Sequence, residues 1–111
     1  MPRVYELRTY TCYEGKLEAL KARFRDHTIA LFDRHHMESL GYWVPSDGEK
    51  SKNTLMYILA HPSFEAAKTN WEAFRNDPEW QKVKAESEAN GKLVIRMDSL
   101  FLNPTDFSQL K

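Results

Sequence analysis

A chain of 111 residues is long enough for one domain with a real core, and its 16 Lys plus Arg balance 16 Asp plus Glu. Zero formal charge argues against nucleic acid, whose phosphates call for a basic surface, and against capture by an anionic membrane, while it is compatible with self-association. The lone Cys12 excludes a disulfide within the chain and a thiolate metal cluster.

Residues 4–11 alternate as a strand, with Tyr5, Leu7 and Thr9 on one side and Val4, Glu6, Arg8 and Tyr10 on the other. A polar face that only met water would need no acid, base and phenol in a row. This second face is therefore expected to look into a cavity. Gly15 ends the strand, and residues 16 to about 37 read as one helix of about 22 residues, roughly 33 Å long. Its apolar stripe is Leu17, Leu20, Phe24, Leu31, Phe32 and His35.

A second strand is expected at residues 41–45, then a polar connection with Asp47-Gly48 turn chemistry. Residues 54–60 form a third strand, so continuously apolar that both faces are expected to be covered. Ser63 suits the N-cap of a helix carrying Phe64, Ala67, Trp71 and Phe74, which Asp77-Pro78 interrupts. A second helical piece, residues 79 to about 89, stops at Asn90-Gly91, and residues 92–102 form the fourth strand. Residues 1–104 make one domain and residues 105–111 a short tail. Met1-Pro2-Arg3 leads directly into the first strand, leaving no room for a targeting peptide, and no apolar run approaches the roughly 20 residues of a membrane span. A cytoplasmic location is expected.

The order β-α-β-β-α-β is that of an α+β, ferredoxin-like domain with both helices on one face of a four-stranded antiparallel sheet. The other face would expose Trp43 and aliphatic side chains, a larger patch than monomers usually leave bare. Pairing two such sheets face to face covers it and encloses a space, so a homodimer through the sheet faces is expected.

Tyr5-Glu6-Leu7-Arg8-Thr9-Tyr10, the Gly15-Lys16 helix start, His35-His36 with Gly41-Tyr42-Trp43, residues 55–60, and Asp77-Pro78-Glu79-Trp80 together resemble the NIPSNAP family, over nearly the whole chain. The resemblance implies a ferredoxin-like domain that dimerises into an α+β barrel. Related barrels include monooxygenases that work without a bound cofactor, haem-degrading enzymes and stress-response proteins. The family itself has no established set of catalytic residues.

Three groups of residues are candidates for chemistry. If Arg96 and Asp98 share a sheet face with Glu6, Arg8 and Tyr10, the row would hold an oxyanion on its guanidiniums, while Glu6, with a raised pKa, or His35 would move a proton. Alternatively Glu6 pairs with Arg96, or Arg8 with Asp98, as cross-strand ion pairs that only fix the dimer. Among the histidines, His27 and His35 lie about 12 Å apart along a helix, too far to share a metal, and His35-His36 diverge; no metal site is expected. His61 reads as a strand-end loop residue. Trp43 is expected to face the inter-sheet cavity and, with Tyr10, to shape a pocket for a flat aromatic or hydrophobic ligand. Trp71 reads as core, and Trp80 as a clamp on the proline break.

No dinucleotide fingerprint, P-loop, nucleophile elbow or zincin motif is present, and no cofactor is expected. Two functions from different classes fit. One is a small-molecule-binding protein, extending to a cofactor-independent oxygenase-type enzyme. The other is a non-catalytic homodimeric interaction or stress-associated protein.

Overall fold

The computed structural model describes residues 3–111; Met1 and Pro2, the start of the segment read as leaving no room for a targeting peptide, lie outside the described residues. Four strands, β1 (Val4–Cys12), β2 (Glu38–Trp43), β3 (Thr54–His61) and β4 (Val94–Leu102), form one antiparallel sheet in the order β2-β3-β1-β4. Helices α1 (Leu17–Arg23), α2 (Ile29–Arg34), α3 (Phe64–Arg75) and α4 (Pro78–Ser87) connect them. This is the expected α+β, ferredoxin-like arrangement. No helix among the described residues is long and apolar enough to cross a membrane.

The first crossover departs from a single regular helix. Residues Phe24–Thr28, between α1 and α2, form a π-helical segment in which the Ile29 amide bonds to the Phe24 carbonyl. Such widened turns are rare and occur frequently at functional sites. Here the segment buries Phe24 and Thr28 together. The helix also ends earlier than residue 37. His36 adopts φ +63°, turning the chain so that Met37 plunges into the core and β2 starts at Glu38. A register shift between Ser39 and Gly41 then carries β2 along β3. The break at Asp77 is as expected: Ser63 caps α3 by accepting from the Ala66 amide, and Asp77 caps α4 by accepting from Glu79 ahead of Pro78.

Which face of β1 is covered decides the rest. Tyr10 and Cys12 pack with Leu55, Tyr57 and Leu59 of β3 against Leu20, Phe24, Phe32 and Trp71, so the even-numbered, polar-looking side of β1 meets the helices. The odd-numbered side, Tyr5, Leu7, Thr9 and Thr11, lies across from Met56 and Ile58 and from Arg96, Asp98, Leu100 and Leu102. No helix covers that side: Leu100 is 59% exposed, and Met56 and Ile58 are only half-buried. Cover on both faces of β3 was expected; the helix side is covered throughout, while on the other side Thr54 and Ala60 at the strand ends are buried and Met56 and Ile58 between them stay half-exposed. Tail residues Thr105, Ser108 and Leu110 return beside Tyr5, Leu40 and Ile58 at one end of the open face.

A buried polar cluster and the cavity in front of it

The register separates two groups that the sequence put together. Arg96 and Asp98 pair with Thr11 and Thr9 on the open face, opposite Glu6, Arg8 and Tyr10. The expected cross-strand ion pairs therefore do not form. Each charge pairs two residues along its own strand instead: Arg8 with Glu6 at 2.9 Å on the helix side, Arg96 with Asp98 at 2.9 Å on the open side.

Glu6 is 1% exposed, yet its carboxylate is fully served. It accepts from His61 Nε2–H at 2.9 Å, Trp71 Nε1–H at 2.8 Å, Ser99 Oγ–H at 2.6 Å and Arg8 Nη1–H at 2.9 Å. Burial alone would raise its pKa, but the bonds from His61, Ser99, Trp71 and Arg8 outweigh that and hold it at about 2. The expectation of a raised pKa and a proton-moving Glu6 is corrected: the residue is a permanent anion that orders its neighbours. His61 is corrected as well, being wholly buried rather than a loop residue. Its Nε2–H donates to Glu6, and its Nδ1 is buried with no partner among the described residues.

Arg8 binds the cluster together. Its Nε–H donates to the Tyr57 hydroxyl at 3.1 Å and an Nη2–H to the Tyr10 hydroxyl at 3.1 Å, with the guanidinium 4.1 Å above the Trp71 ring. Burial opposes its charge; the phenols of Tyr10 and Tyr57 and the Glu6 carboxylate outweigh burial and raise its pKa above the ordinary value. The two phenol oxygens sit 2.8 Å apart. Burial, with Tyr10 alongside, pushes the Tyr57 phenol well above its ordinary range.

In front of this cluster, between helices and sheet, lies a cavity of about 200 Å³. Phe24, Phe32, Trp71, Phe74 and Trp80 make its aromatic walls, with Met97 of β4 at the sheet side. Its polar lining is Tyr10, Arg23, Thr28, Lys84, Glu88 and Lys92. Arg23 is 6% exposed and incompletely partnered. One Nη1–H donates to Ser87 Oγ at 3.1 Å, the nearest carboxylate, Glu88, is 3.7 Å away, and Nε is buried with no partner. Burial lowers its pKa, and Glu88 offsets this only in part. Its guanidinium lies 5.1 Å from the centre of the Trp80 ring.

The remaining sequence candidates lie elsewhere. His35 Nε2 bonds to Asp77 at 2.7 Å, where that carboxylate also caps α4, so it ties the end of α2 to the break between α3 and α4. That hydrogen bond, with one from the Glu79 amide, lowers the Asp77 pKa. Trp43, on the edge strand β2, pairs with Met56 on the open face, the side where the space between sheets was expected, and is 52% exposed with its ring folded over Gly41. Burial raises the Cys12 thiol, which marks it as inert core. Of the seven candidates only Tyr10 lines the cavity, with Glu6 and Arg8 directly behind it. Sequence reading missed Arg23, which looks like one charge among many on the solvated side of α1, and it took Trp71 and Trp80 for packing alone. Their signal was present as Arg and Trp at helix positions flanking aromatics, but only burial distinguishes it. Among the described residues no group of three or more His, Cys, Asp or Glu could hold a metal ion.

A four-stranded antiparallel sheet with the helices on one side defines a ferredoxin-like α+β domain. The NIPSNAP family profile matches residues 5–109, and the chain belongs to the NIPSNAP family. Similar solved structures include a NIPSNAP family protein of unknown function from Agrobacterium tumefaciens, 24% identical with a TM-score of 0.84, covering 99% of this chain and 95% of that one. An uncharacterised NIPSNAP-like domain protein from Burkholderia xenovorans is 21% identical with a TM-score of 0.82, covering 96% of this chain and 88% of that one. SnoaB, a cofactor-independent oxygenase from Streptomyces nogalater, shares the fold at 13% identity and a TM-score of 0.64, covering 98% of this chain and 99% of that one. No curated protein matches by sequence.

Proposed function

We propose that this NIPSNAP protein binds a small aromatic or apolar molecule in the cavity between its helices and its sheet. The observation that carries the reading is an aromatic-walled space of about 200 Å³ lined by Arg23, a buried arginine whose Nε has no partner among the described residues. Cavities that exist only as packing defects are apolar, and one of about 150 Å³ accommodates benzene. Here a charged group lines the space at a cost that a bound acceptor would offset. Trp71 and Trp80 form walls, so intrinsic fluorescence reads occupancy directly. A thermal-shift and fluorescence screen of one- and two-ring aromatics is expected to yield ligands that stabilise the protein and perturb its emission. If none does either, the reading fails.

The cofactor-independent oxygenase of the same fold makes oxygen chemistry on such a ligand the enzymatic form of this proposal; oxygen consumption with any ligand found tests it. Fold alone does not carry an activity. A lone, buried thiol suits work in a reducing compartment such as the cytoplasm.

A second reading concerns assembly. The open face presents Leu7, Ile58, Leu100 and Leu102 around Arg96 and Asp98, and a second copy of this sheet is the occupant we propose for it. Sedimentation should give a dimer that Leu100→Glu shifts to monomer. A monomeric wild type at micromolar concentration would rule this out.

A further inference from the structure

The polar end of the cavity has a chemistry of its own, set by a count of hydrogen-bond protons. Arg8 donates to both phenols, from Nε to Tyr57 and from Nη2 to Tyr10, so each oxygen already accepts one bond. The 2.8 Å contact between the two hydroxyls uses only one of their two protons. Tyr57 is fully buried, and among the described residues its hydroxyl has no acceptor other than Tyr10. An unpaired buried O–H is costly, so Tyr57 gives its proton to Tyr10. The proton left over belongs to Tyr10, and Tyr10 lines the cavity.

Arg23 adds a second incompletely used donor, a guanidinium whose buried Nε–H has no partner among the described residues. Tyr10 and Arg23 line the same cavity, and Tyr10 is among the groups whose charge acts on the Arg23 guanidinium. The charged side chains of the lining are Arg23, Lys84 and Lys92 against Glu88 alone. Both spare polar groups are donors, the local charge is positive, and the remaining walls are aromatic rings. A neutral hydrocarbon would leave both donors unpaired; a cation would meet positive charge.

Resting on the binding function proposed above, we infer that the ligand is the anion of a one- or two-ring aromatic acid, its carboxylate accepting from the Arg23 guanidinium and from the Tyr10 hydroxyl. The rings stack among Phe24, Phe32, Trp71 and Trp80, and the volume of about 200 Å³ leaves no room for a larger ring system without rearrangement. Arg8 and Glu6 are positioning residues: Arg8, itself paired with Glu6, holds the Tyr10 oxygen in place.

The test is calorimetric titration with benzoate and 1-naphthoate against their neutral counterparts benzamide and benzyl alcohol. At least tenfold tighter binding of the carboxylates is expected. Tyr10→Phe should lose about tenfold for the carboxylates with little change for benzyl alcohol. Tyr57→Phe removes the neighbouring hydroxyl but leaves the Tyr10 proton free for the ligand, so it should keep carboxylate binding within about threefold. Arg23→Met should abolish the preference for the anion. Equal affinity for charged and neutral probes would overturn this inference while leaving the cavity as a binding site. Equal loss in Tyr10→Phe and Tyr57→Phe would also overturn it, because a merely structural hydroxyl pair behaves that way. Binding of none of the four probes, to wild type or variants, would overturn both this inference and the proposed function.

Discussion

Two arginines on the helix side of the sheet, Arg23 buried and Arg8 half-buried, are treated differently by their surroundings. Arg8 has a carboxylate at 2.9 Å, two phenol oxygens at 3.1 Å and an indole face at 4.1 Å. Arg23 has one serine hydroxyl, a carboxylate held off at 3.7 Å and a nitrogen with nothing to bond. A charge with every nitrogen bonded to a fixed partner is architecture: the groups it touches are held by it. An incompletely partnered charge on the wall of a cavity is what the proposed binding function would use, because a ligand acceptor can supply its missing partner. The difference also explains why Glu6, attractive as a base in the sequence, is chemically silent. Its four donors are the reason Arg8 is so well held.

That contrast is open to measurement. Glu6→Gln removes the one carboxylate paired with Arg8 among the described residues and leaves a largely desolvated cation uncompensated, so chemical denaturation should show a loss of about 3–5 kcal/mol. A loss below 1 kcal/mol would mean that the cluster is not structural. Acid should reproduce part of this effect. The Glu6 pKa is depressed in the folded chain, from an ordinary 4.5 to about 2. The stability it contributes is therefore complete above about pH 4.5 and lost as pH falls towards 2, amounting to about 3 kcal/mol. Stability curves of wild type and Glu6→Gln should converge across that window; parallel curves would break the assignment. The smallest effect belongs to the other arginine. Arg23→Met removes an orphaned donor and fills apolar space, so stability should stay within about 1 kcal/mol of wild type while ligand binding suffers. A strongly destabilised Arg23→Met would make the two arginines alike and erase the distinction.

The same physics separates what could be read from residue order and what could not. Alternation in β1, the cap at Ser63 and the break at Asp77-Pro78 are local, and each is realised within a residue or two. Face assignment within one strand was equally safe. Transfer of that assignment to β4 was not, because parity carries across two strands only when their register is known. Here Thr9 stands opposite Asp98 and Arg8 opposite Ser99, which moves both Arg96 and Asp98 to the far side of the sheet. The π-helical turn escaped notice for a related reason: it is a one-residue change of phase in an otherwise continuous amphipathic pattern.

The sequence by itself determined the order of elements, the ferredoxin-like class and the family, since these rest on periodicity, caps and turns encoded within short windows. It also marked Glu6, Arg8 and Tyr10 as unusual. Only the tertiary structure decided that this row faces the helices, that Glu6 is an anion saturated by His61, Trp71, Ser99 and Arg8, and that Arg23 is left with a spare donor beside an aromatic cavity. The reason is that a partner 55 or 65 residues away is set by packing and register. A side chain's charge and role follow from which partners it finds and which it lacks.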